Sequence, residues 1–232
     1  GIVERAAAAK SFDSPSFAAG YALAAVPARY ALERRAWKEA AGIALQPAFP
    51  WEKVPYAEAV VHFARAVGAA RSGDVPGAQV DLARLAAIET ALTGQPGFDW
   101  ATQVKIQRLA ATGWIARAEG KNDEALAALG SAADLEDSTD KHPVTPGAVL
   151  PAREQLGDLL DELGQPKLAL AAYEASLKTA PARLNSLRGA VLAARQSGET
   201  ARAKAFEADF AKLCSGSASP RARLEGPTAS RR

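Results

Sequence analysis

Methionine is absent from this 232-residue chain, cysteine occurs once and histidine twice. A lone Cys214 excludes an internal disulfide framework and fits any redox compartment. His62 and His142 come without HxxxH or CxxC spacing, short of the three or four ligands a metal centre needs. No cofactor is therefore expected, and the two histidines are only weak metal candidates. Twenty-eight Lys and Arg nearly cancel 26 Asp and Glu, leaving a net charge of +2 and no chain-wide basic field for nucleic acid. No apolar run reaches the roughly 18 residues of a membrane span. The longest, over 17–27, is interrupted by Gly20 and Pro27. Residues 1–10, GIVERAAAAK, carry Glu4 and Arg5 and lack a signal-peptide layout, so the compartment stays open. With no initiator methionine, the chain reads as a processed or excised piece of a longer one. There is no G-x-x-x-x-G-K-[ST] and no G-x-G-x-x-G opening a helix after a strand, so nothing points to nucleotide chemistry. Cys214 has no identifiable histidine partner for nucleophilic catalysis.

What is present is one pattern written repeatedly. Gly73, Gly120, Gly164 and Gly198 are each followed five residues later by an alanine, at Ala78, Ala125, Ala169 and Ala203. A glycine just past a helix takes the left-handed conformation that satisfies orphan carbonyls, and a small residue lets the next helix pack back closely. Alanine dominates the apolar fraction, which favours such close helix pairs. Five hairpins follow: 19–45, with Arg35 in the glycine position and Ala40 as the small residue; 56–92; 100–136; 151–180; and 185–213. Pro76 lies in a first helical turn, where its missing donor costs nothing. The proline-marked connector 46–55 and the irregular stretch 138–147 (STDKHPVTPG) separate units. The sequence predicts a linker or remnant helix over 1–16, a helical repeat domain over 17–214, and a disordered tail over 215–232, where Ser, Pro, Gly and Arg prevail.

The fourth unit carries Leu156-Gly157, Leu160, Ala169, Tyr173 and Pro181 at the spacing of the tetratricopeptide repeat signature, which the chain resembles. Gly113, Gly120, Ala125, Leu129 and Ala132 match in the third unit, and Ala66, Gly73, Ala78 and Leu82 in the second. The glycines are 47, 44 and 34 residues apart, so only the last interval has the family's usual length of about 34. Stretches such as HFARAVGAARSGD and KHPVTPGAVLPARE are similar to the C-terminal half of larger bacterial proteins of this kind. The resemblance implies an all-α superhelix, a TPR-like solenoid of about five hairpins.

It also implies a ligand-binding groove lined by the first helix of each hairpin. Residue by residue the lining is Arg29, then Phe63, Val67 and Arg71, then Gln107, Trp114 and Arg117. Glu154, Asp158 and Asp161 follow, then Arg188, Leu192 and Arg195. Glu154, Asp158 and Asp161 are spaced to share one helical face. Such a surface suits an extended peptide or a helix of mixed charge, with arginines on carboxylates and Trp114 as anchor. The expected function is a non-catalytic scaffold with a protein or peptide partner. Two alternatives stay open: the C-terminal portion of a metal- or small-molecule-binding enzyme completed by a missing N-terminal half, and self-association or packing with a missing N-terminal segment.

Overall fold

A computed structural model describes residues 16–142, 145 and 147–215. The expectations for 1–15, for the tail beyond Ser215 and for residues 143, 144 and 146 fall outside the described residues. Among the described residues there is no strand. Ten α-helices follow one another: α1 Phe17–Glu33, α2 Trp37–Ala41, α3 Pro55–Ser72, α4 Val75–Leu92, α5 Trp100–Ala118, α6 Asn122–Asp137, α7 Ala152–Glu162, α8 Pro166–Thr179, α9 Leu184–Gln196 and α10 Thr200–Leu213. A 3₁₀ turn, Trp51–Lys53, interrupts the connector before α3. The chain divides into two compact units, one ending at Ala152 and the other starting at Arg153.

Local chemistry explains the boundaries. Ser16, Asp74 and Asp99 accept hydrogen bonds from the amides of Ala19, Gly77 and Thr102, capping α1, α4 and α5. Pro55 and Pro166 occupy first turns. The four glycines of the repeated pattern all have positive φ, at 88°, 80°, 70° and 79°. Arg35, standing in the same place in the first hairpin, has φ 54° and is the non-glycine counterpart.

The small residues are where helices touch. Ala40, Ala78, Ala125, Ala169 and Ala203 are all buried. A Cβ at Gly68 would fall 2.5 Å from both the Trp37 carbonyl oxygen and the Ala41 nitrogen, so α2 lies against the bare backbone of α3. In the third hairpin a Cβ at Gly113 would fall 2.7 Å from Leu129 Cγ. In the second unit, Tyr173 of α8 wedges between Gly157 of α7 and Gly189 of α9. This is the all-α succession of hairpins that the tetratricopeptide resemblance implies.

The first hairpin departs from expectation. α1 runs straight through Pro27, and α2 is only five residues long. Gly42 and the prolines at 47 and 50 stop α2 early, and the 3₁₀ turn takes up the remaining chain. α3 is the hub of the first unit and packs against α1, α2, α4 and α5. Phe63, Leu32, Leu85, Ile88 and Leu129 fill that core. In the second unit Leu187, Val191, Phe210 and Cys214 form a buried cluster, so the single cysteine is a core residue.

Candidate functional site

In the first unit, three helix starts place an aromatic ring at one edge. Ser16 caps α1 and Phe17 is its first residue. Pro55 opens α3 and Tyr56 follows. Asp99 caps α5, whose first residue is Trp100, with Phe98 just before the cap. The rings meet: Tyr56 stacks on Trp100 at 4.2 Å between centroids, and Phe17 lies 5.3 Å from Tyr56 and 5.7 Å from Trp100. Phe98 stands edge-on to Trp100 at 4.8 Å. Tyr21, one turn into α1, stacks beside Phe17. All five rings are half-buried rather than sealed in a core. Burial raises the Tyr21 phenol's pKa, an effect that neighbouring Arg29 opposes, and burial raises that of Tyr56 as well.

His142, from the stretch between α6 and α7, joins this cluster. Its ring lies 4.9 Å from both Phe17 and Trp100 and 5.0 Å from Phe98. Further along the same stretch, the Gly147 carbonyl accepts hydrogen bonds from Tyr21 Oη and Arg29 Nη2, both at 3.3 Å. Of the groove residues expected from sequence, Arg29 is the one at this edge.

The other end of the α3–α5 layer carries a second aromatic feature. The Arg71 guanidinium lies 4.2 Å from the Trp114 ring centroid and 5.0 Å from that of Trp37. Beside it, Ala36, Trp37, Lys38, Glu39, Arg71 and Ser72 line an open depression of about 370 Å³. Tyr56 and Arg71 are separated along α3 by about 22 Å at the usual helical rise.

Several expected lining residues occupy other environments. Phe63, Val67 and Trp114 are 2%, 0% and 3% exposed and belong to the core. The reason for Phe63 and Val67 is that α3 has helices on nearly every side, so little of its circumference reaches solvent. Gln107 is half-buried, its Oε1 enclosed without a hydrogen-bond partner among the described residues. Arg117 donates to Asn122 Oδ1 at the start of α6.

In the second unit Glu154 is 1% exposed, held by Arg183 through two bonds of 2.6 and 2.9 Å and by Ser186 Oγ at 2.5 Å. Burial pushes its carboxyl up, against the pull of Arg183. Asp158 is buried and accepts from Tyr173 Oη at 2.7 Å. The expected acidic face of α7 is thus largely turned into its unit, where it pairs with α8 and the Arg183–Ser186 segment. Asp161, Arg188 and Leu192 are half-buried, and exposed Arg195 pairs with Glu207 at 2.7 Å.

His62 is buried between two carboxylates. Its Nδ1 lies 2.6 Å from Asp81 and its Nε2 3.3 Å from Glu58. Arg65 reaches Asp81 at 3.2 Å, and Arg84 grips Glu58 at 2.8 and 2.9 Å. Burial alone would raise the Glu58 pKa, but bonds and charge from His62 and Arg84 bring it down to about 2. Burial works the other way on His62 and is outweighed by Asp81 and Glu58, so its pKa is raised. Both ring nitrogens face carboxylates, an arrangement that favours imidazolium over a metal ligand. Among the described residues no group of three or more His, Cys, Asp or Glu is placed to hold a metal.

The outer side of α1 exposes Ala18, Ala22, Val26 and Tyr30 at four-residue spacing, with Val26 49% and Tyr30 65% exposed. The exposed positions of α10 mix Arg202, Lys204, Asp209 and Lys212 with alanines and Leu213. No described helix is long and apolar enough to cross a membrane.

The aromatic edge was not anticipated, although a signal for it exists. Ser16-Phe17, Pro55-Tyr56 and Asp99-Trp100 each join a helix-start residue to an aromatic one. Read together, the pairs predict three rings at equivalent ends of three first helices.

No family model matches the chain, and no curated protein does. Among solved structures, it is similar to a Podosopora anserina protein described as having kinesin light chain nearly identical TPR-like repeats. The identity is 17%, over 90% of this chain and 100% of that one, with a TM-score of 0.46.

Proposed function

We propose that this chain is a non-catalytic scaffold that binds a peptide or protein segment on the first-helix layer of its first unit, with the aromatic edge as anchor. The observation that supports it is the half-buried cluster of Phe17, Tyr21, Tyr56, Phe98 and Trp100 beside Arg29. Rings that only complete a core are normally covered. Rings left partly wet, with a phenol and a guanidinium alongside, are the residue types that carry binding energy at protein interfaces. Their supports are rigid, because each ring sits on or beside the first turn of a helix fixed by a cap or proline. Half-buried Arg71 and Trp37, which line the open depression at the other end of α3, supply a second contact point.

The test is peptide selection from a displayed library on the purified chain, followed by affinity measurement. Trp100→Ala is expected to weaken a selected peptide at least about tenfold, the loss of roughly 1.4 kcal/mol. Arg195→Ala, in the second unit, is expected to leave the affinity unchanged. Selected peptides that tolerate Trp100→Ala would place binding elsewhere.

A further inference from the structure

Building on that peptide-binding role, we infer that the connector between α6 and α7 is an internal ligand of the first-helix layer, and that its anchors describe the partner: a segment with a flat ring at one position, a turn closed on that residue's carbonyl, and an open backbone carbonyl five residues on.

The route of the connector carries the inference. It leaves α6 at Asp137 and enters α7 at Ala152. Near its end the Ala152 amide donates to Glu136 Oε2 at 2.7 Å, so the two helix ends lie close together. A short turn could join them. Instead, Asp140, His142 and Gly147 contact α1 and α5. Gln103 of α5 donates to the Asp140 carbonyl at 3.5 Å. His142 inserts among Phe17, Phe98 and Trp100. The Gly147 carbonyl is then gripped by Tyr21, 126 residues earlier in the chain, and by Arg29. Long irregular connections cost ordering entropy, and one that detours between neighbouring helix ends is more often functional than incidental.

The contacts themselves are those of a bound segment. One is a ring on aromatic neighbours. The others are side-chain donors on backbone carbonyls, which read an open backbone and no side chain at that position. The hydrogen bonds at 3.3 to 3.5 Å are long, and the rings involved are half-buried, so the connector can be exchanged for a competitor. Being tethered, it acts at an effective concentration in about the millimolar range. A foreign segment must therefore outcompete it, and connector and partner exclude one another at the aromatic edge.

The probe is a fluorescent synthetic peptide of residues 138–150, titrated by anisotropy into the full chain and into a variant whose residues 139–147 are replaced by Gly and Ser at equal length. Saturable one-to-one binding to the variant, at least about tenfold tighter than to the parent, is expected. The same peptide with His142→Ala is expected to bind the variant at least about tenfold more weakly. Equal binding to both chains, or none to a variant that keeps its helical spectrum and cooperative melt, overturns the inference. If the replacement unfolds the chain, hydrogen exchange on His142→Ala decides. Faster exchange confined to 17–30 and 138–151 supports an anchored connector, while unchanged or uniformly faster exchange overturns it. Failure here leaves peptide selection at Trp100 standing. Conversely, a connector that binds in trans while selected peptides ignore Trp100 removes only the binding role proposed above.

Discussion

Between α3 and α4, His62 faces a carboxylate on each ring nitrogen, so its proton is held more tightly in the folded chain than in the unfolded one. The raised pKa fixes the sign of a pH effect. The stabilisation is complete below the usual value of 6.5 and is lost as pH rises through the higher folded value. Glu58 behaves oppositely: its contribution is present above 4.5 and is lost as pH falls toward about 2. Chemical denaturation as a function of pH is expected to show the parent losing stability above neutrality, and His62→Gln is expected to remove that alkaline loss while remaining destabilised at pH 6. An unchanged alkaline slope in His62→Gln would remove the imidazolium from the account. At this scale the sequence was partly legible. His62 reads as no more than a weak metal candidate, and it lies buried between two carboxylates. Glu58 lies one helical turn before it and is within sequence reach, but Asp81 was not legible, because it comes from the neighbouring helix and only the packed hairpin shows which of many surface-type charges turn inward. The same limit explains Glu154 and Asp158, which share a helical face but meet Arg183 and Tyr173 rather than solvent.

Helix boundaries were the most legible feature, because local chemistry writes them. Gly73, Gly120, Gly164 and Gly198 end helices in the left-handed conformation, and Arg35 does the same without being glycine. Pairing within hairpins was legible for a related reason: small residues mark close approach, as at Ala125 with Gly113 and at Ala169. Ala169→Leu is therefore expected to lower stability by about 1–3 kcal/mol through overpacking. Thermal melts of the variant check this, and a parent-like melting temperature would contradict the hairpin register. What one element's sequence could not convey was its surroundings. α3 has the composition of an amphipathic first helix, yet its central place among α1, α2, α4 and α5 buries Phe63 and Val67. The close docking of α2 on Gly68 was not legible, because it is a contact with a helix further along the chain.

Taken as a whole, the molecule is two compact α-helical units, each with its own core. The residues expected to line one trough belong to both units, and Phe63, Trp114, Glu154 and Asp158 among them serve interior packing. The surface proposed for a partner lies within the first unit, where the helix starts of α1, α3 and α5 present rings to one edge and His142 of the α6–α7 connector meets them. Repeat architecture brings these starts together: each ring has a local signal, and only the stacking of hairpins makes them neighbours. The most direct measurement is hydrogen exchange on the full chain with and without a saturating selected peptide. Protection concentrated at 17–30, 55–60 and 98–104, with exchange released in 138–147, is the predicted result. Protection confined to α4, α6 or the second unit, with those stretches unchanged, would contradict the account.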